Sequence, residues 1–284
     1  MLNKMNVLIT GATSGIGEAL LNQYVVSGHN VIACGRNKDK LAELDAVARL
    51  TLAFDVNNND DVASAAQTLT DSLDNGTDGE ADKVLDVLIL NAGDCRYIQD
   101  PINFDAELFA DIINTNLISL GRLLKFFLPK VKKGGQVVFV SSSASIVPFP
   151  QAEAYGASKA GVDYLANSLR VDLAAHDIGV TLIHPGFVRT PLTSVNHFNM
   201  PFIIEASDAA ARIFNGVQAK KNYLHFPKRL TLSLKLLSLL PASIWQRLIS
   251  SDSAPKDTSS KQTDSKDTHP RDDAKETDTK DLKK

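Results

Sequence analysis

Cysteine is scarce in this chain: Cys34 and Cys95 are the only two among 284 residues, with no Cys-x-x-Cys pair and no Cys/His cluster. That argues against a disulfide scaffold or a structural zinc site, and it fits a reducing compartment. The six histidines show no His-Glu-x-x-His or similar ligand spacing, so no metal is expected. A dominant charge is missing as well. Lys and Arg number 30 against 33 Asp and Glu, and the net charge of -3 gives no general reason to expect a nucleic-acid partner. No apolar run approaches the ~18 residues needed to cross a bilayer. Residues 5–10 are apolar, but Gly11 interrupts them and only Lys4 precedes them, too short for a secretory leader. The expected location is cytoplasmic.

What the chain does have is alternation. Residues 6–10, 30–34, 84–90 and 136–140 are apolar runs with the length of buried strands; 179–184 resembles them and 50–54 is weaker. Helix-like stretches lie between them at 17–27, 62–74, 106–130 and 154–175. Strand followed by helix throughout predicts a doubly wound α/β fold on a parallel sheet, a Rossmann fold, as a single domain over residues 1–225. Residues 226–250, within a Leu-rich stretch that starts at Tyr223, carry Lys228, Arg229, Lys235, Arg247 and the only tryptophan, Trp245. This amphipathic composition suits a helix that closes a pocket or forms a subunit interface; peripheral contact with a membrane is the second reading. Residues 251–284 have Leu282 and two alanines as their only aliphatic side chains and no aromatic residue, with eight Lys/Arg against nine Asp/Glu. A disordered polar tail is expected there.

The first strand runs into Gly11-Ala12-Thr13-Ser14-Gly15-Ile16-Gly17. Glycines spaced GxxxGxG in the first βα turn permit a tight bend and let a pyrophosphate approach the backbone at a helix N-terminus. No Gly-Lys-Ser/Thr follows, so this is not a P-loop. The second strand ends Cys34-Gly35-Arg36. An acid there would bind a ribose hydroxyl, whereas Arg36 accommodates a 2′-phosphate, so NADP is expected in preference to NAD. Cys34 reads as a packed thiol.

Taken together, Thr10-Gly11-x-x-x-Gly15-x-Gly17, Asn91-Ala92-Gly93, Ser142, Tyr155-x-x-x-Lys159 and Pro185-Gly186 with Thr190 resemble the short-chain dehydrogenase/reductase family, in its compact single-domain form. The resemblance covers residues 6 to about 225. Tyr155 and Lys159 are at i and i+4 and share a helix face. A free phenol has a pKa of about 10, and a neighbouring ammonium favours its phenolate, so Tyr155 can serve as general acid or base.

The resemblance implies the remaining roles. Lys159 would hold nicotinamide ribose hydroxyls. Ser142, thirteen residues before Tyr155, would hydrogen-bond the substrate oxygen; Ser141 and Ser143 are near misses. Asn116, rather than Asn114, would anchor a proton-relay water, although Ser119 stands where the family carries glycine. Thr13, Ser14 and Ile16 would join the glycines around the pyrophosphate. Asp55, with Val56, would meet the adenine, and Asn91, Ala92 and Gly93 the adenosine side. Pro185, Gly186, Val188 and Thr190 would wrap the nicotinamide. Cys95, with no base evident beside it, reads as structural. The implied activity is hydride transfer between NADP(H) and a carbonyl or alcohol. The apolar residues of 192–205 and the Leu-rich segment suggest an apolar ketone or aldehyde. A homodimer or homotetramer built on 106–130 and 154–175 is implied too. An extended family member would have GxxGxxG and a longer C-terminal domain, and a silent nucleotide sensor would lack part of Ser142, Tyr155 and Lys159.

Overall fold

The computed structural model describes residues 4–73, 84–194, 196, 198–241, 243–245 and 247. The expected polar tail, 251–284, lies outside them. Seven parallel strands form one sheet: β1 (Asn6–Thr10), β2 (Asn30–Gly35), β3 (Leu50–Ala53), β4 (Leu85–Leu90), β5 (Val131–Val140), β6 (Gly179–Pro185) and β9 (Tyr223–Phe226), in the order β3-β2-β1-β4-β5-β6-β9. β7 (Val188–Arg189) and β8 (Ile204–Glu205) pair separately.

Side chains alternate between the two faces, as the two-residue period of a strand requires. Leu8, Ile32, Leu88, Val137 and Phe139 pack on α3 (Asn59–Leu73), α5 (Ser119–Phe127) and α6 (Glu153–Ala174). Val7, Ile9, Val31, Ala33, Ile89 and Val138 pack on α1 (Gly15–Val26), α2 (Lys38–Leu44) and α7 (Ala206–Gln218). Both faces are covered, which is why the strands read as continuous apolar runs. The chain reverses its winding between β1 and β4, and the crevice at that switch point lies over the carboxyl ends of the strands.

The expected helix over 106–130 is continuous: α4 (Ala106–Ile113) passes through a π-helical turn at Asn114–Ile118 into α5, and a tighter turn at Leu128–Lys130 ends it. One expectation is corrected. The boundary expected at residue 225 falls inside β9, because Tyr223–Phe226 pairs in register with Leu182–Pro185 of β6. Only then does α8 (Lys228–Leu237) begin. Its Leu230 and Leu234 join Val147, Phe187 and Trp245 in a small satellite core. α8 thus packs on the loops that follow β5 and β6, at the same end of the sheet as the crevice.

Candidate active site

The turn after β1 depends on glycine at several points. Gly11 and Gly15 have φ of +68° and +56°, where a Cβ is strained. A Cβ on Gly17 would lie 2.0 Å from the Gly11 carbonyl oxygen, so no other residue lets α1 start so close to the strand. Asn37 and Asp105 cap their helices by accepting bonds from Lys40 N and Leu108 N, but Ser14 makes no such bond for α1. Ser14, Gly15 and Ile16 line the crevice, so the leading N–H groups of α1 and its dipole are offered to whatever binds there. This is the cradle a pyrophosphate requires.

The crevice is an open cleft with a cavity volume of about 180 Å³. Its walls bring together most of the residues expected from the sequence. Gly11, Ser14, Gly15 and Ile16 come from the first turn, and Asn91, Ala92 and Gly93 from the end of β4. Ser142, Tyr155 and Lys159 meet them from the opposite side, with Pro185, Gly186, Val188 and Thr190 below. Thr13, Gly17, Arg36, Asp55, Val56 and Asn116 are not in the wall. Thr13 abuts Gly35 at the end of β2, and Arg36 is exposed just beyond. Asp55 follows β3, where its Oδ1 accepts a bond from Asn57 N at 2.9 Å, and Val56 is buried beside it.

Several residues are fixed by contacts the sequence did not foretell. The Asn91 side chain donates to Thr10 O at 3.0 Å, tying β4 to the glycine turn. Asn116, buried in the π-helical turn, accepts from Asp94 N at 2.7 Å and donates to Asp94 O at 2.8 Å and Ser158 Oγ at 3.0 Å. Its carboxamide therefore fastens the loop after Gly93. A π-turn of this kind is common at functional sites. Lys40 was also missed: on the exposed side of α2, its Nζ donates to Thr13 O at 3.4 Å, placing a second cation near Arg36.

Tyr155 and Lys159 share a face of α6, with Nζ 5.8 Å from the phenol ring centre. Lys159 donates to Val140 O at 3.0 Å, and its burial pushes the ammonium down to about 8. The same burial pushes the Tyr155 phenol well above its ordinary value, with Ser142 partly offsetting it. Burial disfavours the charged form of both groups, so it works against the lowering of Tyr155 expected from Lys159. A phenol raised in this way keeps its proton at neutral pH.

Behind this pair runs a polar network. Ser141 donates to Asp163 Oδ1, and Asp163 Oδ2 lies 2.9 Å from His184 Nε2, whose Nδ1 lies 2.9 Å from the Tyr223 hydroxyl. Every member is satisfied if Nε2–H donates to Asp163 and Nδ1 accepts from Tyr223. The network braces β5, α6, β6 and β9 directly beneath Ser142 and Pro185. Cys95 and Cys34 are free and buried; Cys95 Sγ lies 3.3 Å from the Tyr97 hydroxyl, and burial raises both thiols. That favours thiol over thiolate at either position.

The profile of the short chain dehydrogenase family matches residues 5–199. The chain belongs to the short-chain dehydrogenase/reductase family. It is 34% identical over 236 residues to an uncharacterized oxidoreductase of Myxococcus xanthus, covering 82% of this chain and 92% of that protein. It is 30% identical over 217 residues to a probable NADP-dependent dehydrogenase of Haemophilus influenzae, covering 75% and 81%. In fold it resembles a Burkholderia cenocepacia short-chain dehydrogenase solved with NADP, with a TM-score of 0.73 at 23% identity over 87% of this chain and 98% of that one. A Burkholderia phymatum member solved with NAD gives 0.71 at 20% identity, over 82% and 92%. As a member of this family the chain is an NAD(P)-dependent oxidoreductase acting on CH–OH groups. Among the described residues no helix is long and apolar enough to cross a membrane.

Proposed function

We propose that this short-chain dehydrogenase/reductase is an NADPH-dependent reductase of apolar ketones or aldehydes. The observation that carries the reading is the convergence of Ser142, Tyr155 and Lys159 on the cleft whose other wall is the glycine turn. The dinucleotide would lie along Gly11 to Gly17 with its adenosine toward Asp55, Val56 and Asn91 to Gly93, and its nicotinamide toward Pro185, Gly186, Val188 and Thr190. When bound, NADPH supplies the hydride. Tyr155 donates its proton to the carbonyl oxygen as charge develops there, and Ser142 hydrogen-bonds the same oxygen. Lys159 holds the nicotinamide ribose and sustains the positive field beside the phenol. Asn116 acts through its grip on the loop after Gly93 and as the anchor of a relay water.

The preference for NADP rests on charge at the end of β2. Arg36 and Lys40 flank the end of the adenosine site, and no acid stands between Gly35 and Lys38. Two cations suit a 2′-phosphate, and charge-assisted bonds of this kind contribute about 1.5–3 kcal/mol. The apolar substrate rests on the mouth of the cleft. Phe187, between the cleft-lining Gly186 and Val188, and Tyr97 each stack edge to face on Phe198, and Val147 and Phe149 pack with Leu230 and Leu234 of α8. A cytoplasmic location completes the reading. So does a homodimer or homotetramer, supported by the exposed Ile118, Tyr164 and Val171 along the π-turn and α6.

Calorimetry of NADPH and NADH binding to the wild type, Arg36→Ala and Arg36→Ala/Lys40→Ala tests the cofactor. The expected result is a wild-type preference for NADPH that falls by roughly tenfold in the single variant and further in the double, with NADH binding unchanged. Equal losses for both nucleotides would overturn the 2′-phosphate assignment. A panel of long-chain ketones and aldehydes against short polar ones, followed by NADPH oxidation, tests the substrate class. Turnover of only the polar members would overturn it.

A further inference from the structure

The outward face of α8 is apolar where a surface helix is ordinarily polar. Leu230, Thr231 and Leu234 face inward. Leu232 and Leu236, spaced i, i+4 on α8, face solvent at 54% and 68% exposure, and in the turn after it Leu239 is 80% exposed, with Leu240 and Ile244 also exposed. Lys228 and Arg229, both exposed, lie one turn before Leu232 on the same side of the helix. The charge along this segment is of one sign. From residue 228 to 250 the chain has Lys228, Arg229, Lys235 and Arg247 and no Asp or Glu, although its net charge is negative.

This pattern selects among the surfaces that could cover the leucines. The chain beyond residue 250 has one leucine and two alanines as its only aliphatic side chains, too few to do so. A second copy docked about a two-fold axis would set Lys228 and Arg229 against a segment that holds no carboxylate to pair with them. An anionic bilayer offers both a place for the leucines and neutralisation of the cations. We propose that α8 and the turn after it dock this protein on the surface of an anionic lipid membrane.

The consequence follows from what α8 packs on. Leu230 lies against Gly186, where its Cδ2 would come within 2.7 Å of an added Cβ, and Leu234 joins Val147 and Phe187 beside the mouth of the cleft. A membrane-docked α8 sets that mouth at the headgroups, within reach of carbonyl compounds dissolved in the bilayer. This consequence rests on the proposed apolar substrate; the docking itself does not.

Co-sedimentation with phosphatidylcholine vesicles, with and without added phosphatidylserine, tests the docking without substrate or cofactor. The expected result is binding at least roughly tenfold tighter to the anionic vesicles, weakened by salt. Leu232→Ser/Leu236→Ser/Leu239→Ser is expected to lower it by roughly tenfold or more, as is Lys228→Glu/Arg229→Glu. Thermal unfolding and NADPH binding of both variants are expected to match the wild type. Equal binding to both vesicle types, or unchanged binding in both variants, overturns the proposal. So does a wild-type dimer in light scattering that the serine variant converts to monomer, which would give the stripe to a second copy. Because no turnover is measured, a failed substrate assignment leaves these readouts intact.

Discussion

Around Gly11, Gly15 and Gly93 the wall of the cleft is mostly backbone: bare N–H groups, glycine Cα atoms and the uncapped start of α1. Beside the cleft, around Phe187, Phe198 and α8, the surface is mostly side chains, large and apolar, several of them open to solvent. The two ends face different demands. A dinucleotide is an invariant ligand whose phosphates are recognised by fixed dipoles, and fixed dipoles require a backbone with no room to move. An apolar substrate presents few polar handles, so its end of the site is shaped by packing, which many sequences can provide.

The seam between the two ends is where the proposed chemistry lies, and it gives the largest predicted effect. Tyr155→Phe keeps the ring and removes the proton. The expected result is a fall in kcat of ~10²–10⁴ with NADPH affinity nearly unchanged. Stopped-flow reduction and nucleotide titration check the two halves separately. Loss of nucleotide binding in proportion would mean that Tyr155 belongs to the cofactor end and that the two ends are not separate.

The second prediction sharpens the same seam by pH. Burial lowers Lys159 to about 8 and raises Tyr155 further above its ordinary value. Carbonyl reduction draws on the protonated form of both. A group with a depressed cationic pKa is charged below that value and neutral above it. The expected kcat/KM is therefore level on the acidic side and falls by about tenfold per unit as pH rises through about 8. A profile that stays level through that range would mean that the ammonium charge is not needed.

The contrast also explains what could be read from the sequence. At Gly17 a single added carbon would collide with the chain, so the constraint is local and is written in the residue type. Tyr155 and Lys159 are legible for the same reason, because one helical turn relates them. β9 is not: Tyr-Leu-His-Phe has no β-branched residue and runs into leucines, so only its pairing with β6 makes it a strand. α7 is alanine-rich on its buried side, which blurs the period, and α2 buries only Leu41. Asp163 and His184 sit on different elements, and nothing near either residue announces the other. The stripe on α8 was visible as composition, but which side faced outward depended on where β9 ended.

The smallest predicted effect tests whether the two ends are truly separate. Leu230 is the point where α8 touches Gly186, a residue assigned to the nicotinamide side. Leu230→Ala leaves the glycine turn untouched and removes packing from the satellite core, at a stability cost of about 2 kcal/mol, the low end for Leu→Ala because the cluster is small and close to the surface. If α8 serves the substrate end, KM for an apolar carbonyl rises severalfold while the NADPH Kd stays within about twofold, since one kcal/mol lost from substrate packing is a factor of about five. If both constants rise together, α8 holds the Gly186 loop in the shape the nicotinamide needs. The helix would then couple the surface of the protein to its cofactor as well as to its substrate.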